Sequence, residues 1–530
     1  MIYVIGSGPS GISCAQALLK QGLVVTMLDS GIELESHFKE AIDTLKNSSP
    51  EGWDKNSLKK IKQSASAKVS GTFVKSIYGS LFPYKEVDKY FQTQVVNAQP
   101  RISLAKGGLS NVWGAAVLPF IDEDITDWPI SIKDLIPHYE SIFSFMDLAA
   151  INDDLATKFP LYTQRNHPLQ PSNQSVSFMN DLLQNKSVLN SNGFLFGNSR
   201  LAIRSYNLPN KPGCIYCGLC LYGCPHELIY NSAFTLNELI QHENFHYIKD
   251  IIVQRISETN IGISIAAISR HTGELITFRG DRVYLACGVI PTAKIMLESL
   301  EAYDKELIIK DSQWFMIPLM RYKNTQDVAD EKLYTLSQMF IELFDSTISK
   351  NTISFQVYTY NDLLLSLFQT KPFSFIYPLI KAPANMFLGR MLIVMGYLHS
   401  NISSNISLRL QKNTQTKINQ IMLNGNINKG VQKTINLIYK KLFDNQKCFK
   451  ALPIPGITKT PNPGYGSHSG GTFPMRETPH GLETDILGRP YGFKKIHIVD
   501  SSIFPSIPAT TITLTIMANA HRIASRYNDI

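Results

Sequence analysis

Three groups of residues in this 530-residue chain have the types and spacing to do chemistry. The first is Gly6, Gly8 and Gly11, in the order G-x-G-x-x-G, directly after the apolar run at 2–5. A helix-like stretch follows at 10–20, Gly22 supplies a turn, 23–28 reads as a second strand, and Asp29 closes it. This is the dinucleotide-binding fingerprint of a Rossmann-like unit. Gly6 permits the tight turn, Gly8 lets backbone approach a pyrophosphate, and Gly11 allows close helix–strand packing. The helix N-terminus brings free N–H groups and a positive dipole to the phosphates. Asp29 is placed to accept hydrogen bonds from ribose hydroxyls, and Ser10 and Ser30 flank the same contacts. The fingerprint alone does not separate FAD from NAD.

The second group is Cys214-x-x-Cys217-x-x-Cys220-x-x-x-Cys224-Pro225, the ferredoxin spacing. Four soft, anionic thiolates at this density are expected to wrap an iron–sulfur cluster. Zinc sites favour pairs separated by a longer loop, and a disulfide needs an oxidising compartment. In two-cluster ferredoxins the fourth Cys serves the other cluster, and this chain has no second run. The expectation is therefore a lone four-iron (4Fe-4S) or three-iron (3Fe-4S) cluster, with zinc or a purely structural loop as alternatives. Cys14 and Cys287 read as plain core residues.

The third group lies near the C-terminus. His468 sits inside Gly466-Ser467-His468-Ser469-Gly470-Gly471-Thr472, in a Gly/Ser-rich turn and not on an apolar face. A strand-like run at 496–499 leads into Asp500-Ser501-Ser502, then Phe504-Pro505 and Pro508. From about Thr511 the chain reads as a helix, with Thr510 or Thr511 as its N-cap. His497, on the neighbouring strand, reads as structural.

In this C-terminal stretch the sequence resembles the glucose–methanol–choline (GMC) oxidoreductases. Gly107-Gly108-Leu109-Ser110-Asn111-Val112-Trp113-Gly114 is similar to the family's glycine-rich flavin-contacting segment. Trp128-Pro129 and Asp134-Leu135-Ile136-Pro137-His138-Tyr139 resemble the stretch that follows it. Leu285-Ala286-Cys287-Gly288 with Pro291 resembles the strand and turn that pass the nucleotide. The cysteine run, with Tyr230-Asn231 after it, looks like that of bacterial iron–sulfur sugar dehydrogenases in the family.

The resemblance implies FAD, with Gly107, Gly108, Ser110, Asn111, Trp113, Ala286, Gly288, Asp500, Ser501 and Thr510 near it. It also implies that His468 faces the reactive side of the flavin. An alcohol must lose its hydroxyl proton as hydride leaves its carbon, and a group titrating near neutrality suits that task. Thr511 stands where the family carries a second His or Asn; a hydroxyl can orient the substrate oxygen but cannot hold an imidazole's charge. The expected activity is a dehydrogenase acting on an alcohol, a sugar or a sugar-like hydroxyl, with electrons passed to an external acceptor. An oxygen-using oxidase with structural cysteines, and a non-redox flavin-binding lyase or binding protein, are the alternatives.

These residues need elements to position them. At 44% hydrophobic and 18% charged, the chain has an ordinary globular composition and is long enough for two or more domains. The expected fold is α/β and α+β: a Rossmann-like FAD-binding domain of discontinuous segments, with a second, antiparallel-sheet substrate domain. The first takes 1–35, 70–125, 205–300 and 460–530, with the cysteine loop at 214–225; the second takes 126–204 and 301–459. Alternation at 354–360 and 402–410 predicts strands of one sheet walling the substrate pocket, and 432–443 reads as a helix. Residues 36–70, rich in Lys and Ser, read as a mobile excursion.

The net charge of +8 is scattered, which argues against nucleic acid as a partner. The first strand begins at residue 2, so the chain reads as cytoplasmic. No uncharged apolar run reaches the ~18–20 residues of a spanning helix. The apolar stretch 363–397, broken by Lys371, Lys381 and Arg390, reads as buried core. The alternative there is contact with a membrane surface or a lipid-linked substrate.

Overall fold

The computed structural model describes residues 1–63, 66–69, 72–209, 212–362, 386–412 and 419–529. Five short strands form a parallel sheet in the order Ile496–Ile498, Arg282–Leu285, Ile2–Ile5, Val25–Leu28, Phe245–Ile248. Ile2–Ile5 and Val25–Leu28 are buried along their whole length, so they read as continuous apolar runs without alternation. The central strand Ile2–Ile5 has its sequence neighbour on one side and the distant Arg282–Leu285 on the other. In such sheets a ligand crevice opens where the order reverses, outside the strands' C-terminal ends. The helices Pro9–Leu19 and Thr513–Ser525 pack against one another beside this sheet.

Beside a three-stranded antiparallel sheet (Leu275–Gly280, Gly262–Ser269, Ile251–Thr259) and a two-stranded one (Ser66–Val69, Thr72–Lys75), two larger antiparallel-rich sheets frame the chain. One has six strands, in the order Ala451–Pro453, Trp314–Arg321, Met391–Tyr397, Ile353–Tyr358, Met339–Leu343, Phe194–Asn198. Phe315, Phe355 and Val394 of this sheet share a core with Phe178 and Leu182 of the helix Asn173–Gln184. Ile435 and Ile438 of the helix Gly430–Asp444 close it, at the place read as helical from the sequence. The other sheet runs Ser469–Gly470, Leu307–Asp311, Asn405–Gln411, Gln420–Asn426, Thr93–Val96. The mixed α/β and antiparallel architecture is the one expected.

Three expectations need correction. The strands Ile353–Tyr358 and Asn405–Gln411 belong to different sheets: the first pairs with Met339–Leu343 and Met391–Tyr397, the second with Leu307–Asp311 and Gln420–Asn426. Much of the excursion at 36–70 is helical, at Ser36–Lys46 and Lys55–Lys62. Ala41, Ile42, Leu45 and Ile61 of these helices bury themselves with Leu219 of the cysteine loop, and that apolar contact is what the charged composition concealed. The C-terminal helix begins at Thr513 with Ile512 before it and no side-chain cap, so neither Thr510 nor Thr511 caps it. Within the apolar stretch 363–397, residues 363–385 lie outside the described residues. Met391–Tyr397 is a largely buried strand of the six-stranded sheet. Among the described residues no helix is long and apolar enough to cross a membrane.

The six-stranded sheet is tied to its covering helix by a buried ion pair. Arg321 is buried and donates to Asp181 Oδ2 at 2.8 Å, to Ser177 Oγ at 2.7 Å and to Thr325 Oγ1 at 3.1 Å. Removing one partner of such a pair leaves an uncompensated charge indoors. Asp181→Ala is expected to destabilise the chain by about 3–5 kcal/mol in denaturant unfolding. A loss under about 1 kcal/mol, the scale of an exposed pair, contradicts this reading.

Candidate active site

A cavity of about 820 Å³ opens beyond the C-terminal ends of the parallel strands. Gly6 ends the first strand at φ +97°, and a Cβ there would stand 2.7 Å from the Ala286 carbonyl oxygen. At Gly11 a Cβ would collide with the carbonyl oxygen of Gly6, so this glycine sets how closely the helix approaches the strand. Gly8 differs, because a Cβ there would meet nothing within 4 Å and would project into open space. Gly6, Gly8 and Ser10 line the cavity, whereas Gly11 packs behind it.

Three helices start at this cavity: Pro9–Leu19, Val289–Ser299 and Thr513–Ser525. None has a side-chain cap and none has an acidic residue in its first turn. Their first N–H groups and the positive ends of their dipoles are therefore left for a ligand. Three such ends at one cavity fit a group that carries phosphates and a second centre of negative charge.

The acidic residues of the cavity are committed to holding its walls. Asp29 Oδ2 accepts from Ser7 Oγ at 2.7 Å and from Tyr247 Oη at 2.9 Å, and Oδ1 accepts from Ser7 N–H at 3.3 Å. Ser7 Oγ in turn accepts from Gly107 N–H at 2.9 Å, which links the two glycine segments. Asp500 Oδ2 accepts from Gly288 N–H at 2.9 Å and from Thr292 Oγ1 at 2.6 Å, and Oδ1 accepts from Ser502 N–H at 2.9 Å. Burial raises both carboxyls, while these hydrogen bonds pull the other way.

The structure brings most of the predicted cofactor residues to the cavity: Asp29, Ser30, Gly108, Ser110, Trp113, Ala286, Gly288, Asp500 and Ser501 all line it. Gly107, Asn111 and Thr510 do not. Asn111 instead braces the loop, donating to Lys106 O at 3.0 Å and Gly108 O at 2.7 Å and accepting from Asn231 Nδ2 at 2.8 Å. Trp113 Nε1 donates to Tyr230 O at 2.8 Å. The Tyr230-Asn231 pair that follows the cysteine run thus clasps the flavin-type glycine segment. Thr510 is buried and its Oγ1 has no partner among the described residues. Cys287, expected in the core, lines the cavity, because the strand has already ended at Leu285.

His468 stands in the cavity wall next to Ser467, which adopts φ +58°. Its ring is half-buried and stacks on Tyr397, centroids 4.6 Å apart and planes inclined by 17°. Nδ1 is buried without a partner among the described residues, and Nε2 is the nitrogen left for chemistry in the cavity. Loss of hydration pushes the imidazole down to about 4, so it is neutral at ordinary pH. Thr511 also lines the cavity, but its hydroxyl is engaged with backbone: Oγ1 accepts from Leu118 N–H at 2.6 Å. His497 is stacked on Tyr284 at 4.8 Å, with Nδ1 2.8 Å from Leu487 O, in the interior role expected of it. Gln356, Tyr358, Tyr397, Tyr465 and Arg101 complete the wall and were not marked by any motif.

The four cysteines of the run are free thiols. Burial, and then the proximity of the other sulfurs, pushes Cys214 and Cys217 up to about 12 and Cys224 to about 11. Backbone N–H groups approach each of the four sulfurs, among them Thr335 N–H at 3.5 Å from Cys220 Sγ. Among the described residues, however, no group of three or more His, Cys, Asp or Glu side chains could hold a metal ion. Leu221, inside the run, lines the cavity, whereas none of the four cysteines does.

The two fingerprint glycines separate packing from ligand space. Gly8→Ala is expected to leave the melting temperature of the cofactor-free chain unchanged and to weaken FAD binding. Gly11→Ala is expected to lower the melting temperature, at a cost of about 1–3 kcal/mol. Calorimetry and FAD titration of both variants check this, and equal effects at the two positions contradict it.

No protein-family model matches the sequence, and no curated protein matches it. Solved structures do match over the whole chain. Pyridoxine 4-oxidase from Mesorbium loti superposes with a TM-score of 0.59 at 12% identity, over 100% of this chain and 99% of that one. A variant of Aspergillus oryzae RIB40 formate oxidase, studied for its FAD modification, gives 0.59 at 12% identity over 100% and 98%. Another formate oxidase structure gives 0.58 at 13% over 100% and 98%. The chain shares its fold with these proteins.

Proposed function

We propose that the chain is an FAD-dependent oxidoreductase of the GMC type that oxidises a CH–OH group, a sugar or sugar-like hydroxyl, as a dehydrogenase. The observation that carries this reading is the convergence of three uncapped helix N-termini and one neutral histidine on a single cavity. The starts of the Pro9 and Val289 helices would take the diphosphate, with Gly8 leaving room for it. Asp29 would meet the ribose. The start of the Thr513 helix would lie against the ring, where its dipole favours negative charge. When bound, FAD supplies a two-electron acceptor for the substrate's hydride.

The chain's own part is proton handling and placement. His468 Nε2 takes the hydroxyl proton as the C–H bond breaks, and Tyr397 holds the imidazole by stacking. Thr511 keeps Leu118 in position and so shapes the wall from behind. Although the described residues show no group gathered closely enough to hold a metal ion, we further propose that Cys214, Cys217, Cys220 and Cys224 draw together around an iron–sulfur cluster when one is supplied. Support comes from their spacing and from the N–H groups around their sulfurs. Such a cluster would supply one-electron transfer to an external acceptor. An oxygen-using oxidase is the second reading, favoured by the oxidase names of the structural neighbours.

Two outcomes are expected. In anaerobic stopped-flow with sugar and other alcohols, a substrate bleaches the flavin, and His468→Ala slows bleaching by about 10²–10⁴-fold. A bleaching rate untouched by that substitution contradicts the assignment. His468 must be neutral to accept the proton, so kcat/KM should stay level from about pH 8 down to 6 and fall only as its lowered value near 4 is approached. An acid limb at or above the ordinary histidine value contradicts the buried base. Anaerobically prepared protein should carry about three or four irons with matching sulfide. Iron-free protein that makes peroxide rapidly selects the oxidase.

A further inference from the structure

Arg101 is a guanidinium in the cavity wall with more than half of its hydrogen-bonding capacity unspent among the described residues. Its Nη1 donates to Tyr465 O and to Ser467 Oγ, both at 2.7 Å, and its plane lies over the Tyr465 ring at 5.4 Å. Neither Nε nor Nη2 has a partner among the described residues, and Arg101 forms no ion pair there. The residue is half-buried and lines the cavity.

Its place is the reactive end of the cavity. Ser467 directly precedes His468, and Tyr397, which stacks on His468, feels the charge of Arg101. The other charged residues of the lining are Asp29 and Asp500, and both already accept hydrogen bonds from hydroxyl and N–H donors of the walls. Among the described residues that line the cavity, Arg101 is thus the one cation, while the buried Asp311 lies behind Ser469, from whose hydroxyl it accepts at 2.8 Å, and is not part of the lining. Nearby polar groups on Gln356, Tyr358 and Tyr397 are neutral. An arginine edge of this kind matches the planar oxygens of a carboxylate or the oxygens of a phosphate, through paired N–H···O bonds.

We propose that Arg101 anchors an anionic group, carboxylate or phosphate, on the alcohol that His468 deprotonates. The inference rests on the oxidoreductase reading above and narrows its substrate to a hydroxy acid or a phosphorylated alcohol, sugar acids and sugar phosphates included. Holding the anion at Arg101 would fix the substrate's far end while its hydroxyl meets His468 Nε2. The two bonds to Tyr465 and Ser467 would keep the guanidinium from swinging away.

The test is calorimetric titration of the FAD-loaded chain with acetate, methyl phosphate and the neutral isostere acetamide, repeated on Arg101→Gln and Arg101→Lys. Acetate or methyl phosphate should bind while acetamide does not. Arg101→Gln should weaken the anion by roughly 10–100-fold, with Arg101→Lys in between. The tighter of the two anions identifies the group on the substrate. FAD content, and the acid limb of the pH profile set by His468, should be unchanged in Arg101→Gln. Equal binding of acetate and acetamide overturns the proposal, as does anion binding that survives Arg101→Gln. Loss of FAD, or a shifted acid limb, in that variant also overturns it, since the guanidinium would then serve the cofactor or the histidine turn. If no alcohol bleaches the flavin yet anion binding depends on Arg101, the oxidoreductase reading fails and the anion site stands.

Discussion

The structure depends on an electrostatic constraint at the centre of the parallel sheet. Three helices begin at one cavity with no side-chain cap and no first-turn carboxylate. Uncapped ends are costly when buried and are satisfied by water or by a ligand. The carboxylates that could have quenched them, Asp29 and Asp500, are turned to neighbouring hydroxyls and N–H groups. A ligand with several separated negative or electron-rich edges answers that arrangement, and much of the surrounding loop structure serves to keep the three ends aimed. Gly107 N–H on Ser7, and Asn231 on Asn111, are examples.

A second, apolar constraint governs the reactive end. His468 owes its neutrality to lost hydration and its orientation to the Tyr397 ring. Tyr397 comes from the six-stranded sheet, and His468 from a turn beside the five-stranded sheet that contains Ser469–Gly470. The base is thus held between two layers that pair independently.

The parts legible in the sequence are those where backbone stereochemistry dictates residue type. Gly6, Gly107 and Gly288 all have positive φ, and Gly11 sits where any side chain would collide, so glycine at these positions carries information without a structure. Asp500 was legible through its turn. What sequence reasoning missed arrives by long-range pairing: Gln356, Tyr358 and Tyr397 sit on adjacent strands, and nothing local marks which face of those strands meets the cavity. Arg101 belongs to no motif; a cation just ahead of the Gly107–Gly108 segment was the only available signal. The Thr511 cap failed because its hydroxyl found Leu118, hundreds of residues away. The helices at 36–62 were concealed because the apolar partner they need, Leu219, lies in the cysteine loop.

The most direct test of the central claim is fluorescence titration of the cofactor-free chain with FAD and, separately, with NADH. Saturable binding of one FAD per chain, with no competing binding of NADH, is the predicted result. Binding of NADH in preference to FAD, or of neither, would contradict the assignment of the three helix ends to a flavin nucleotide.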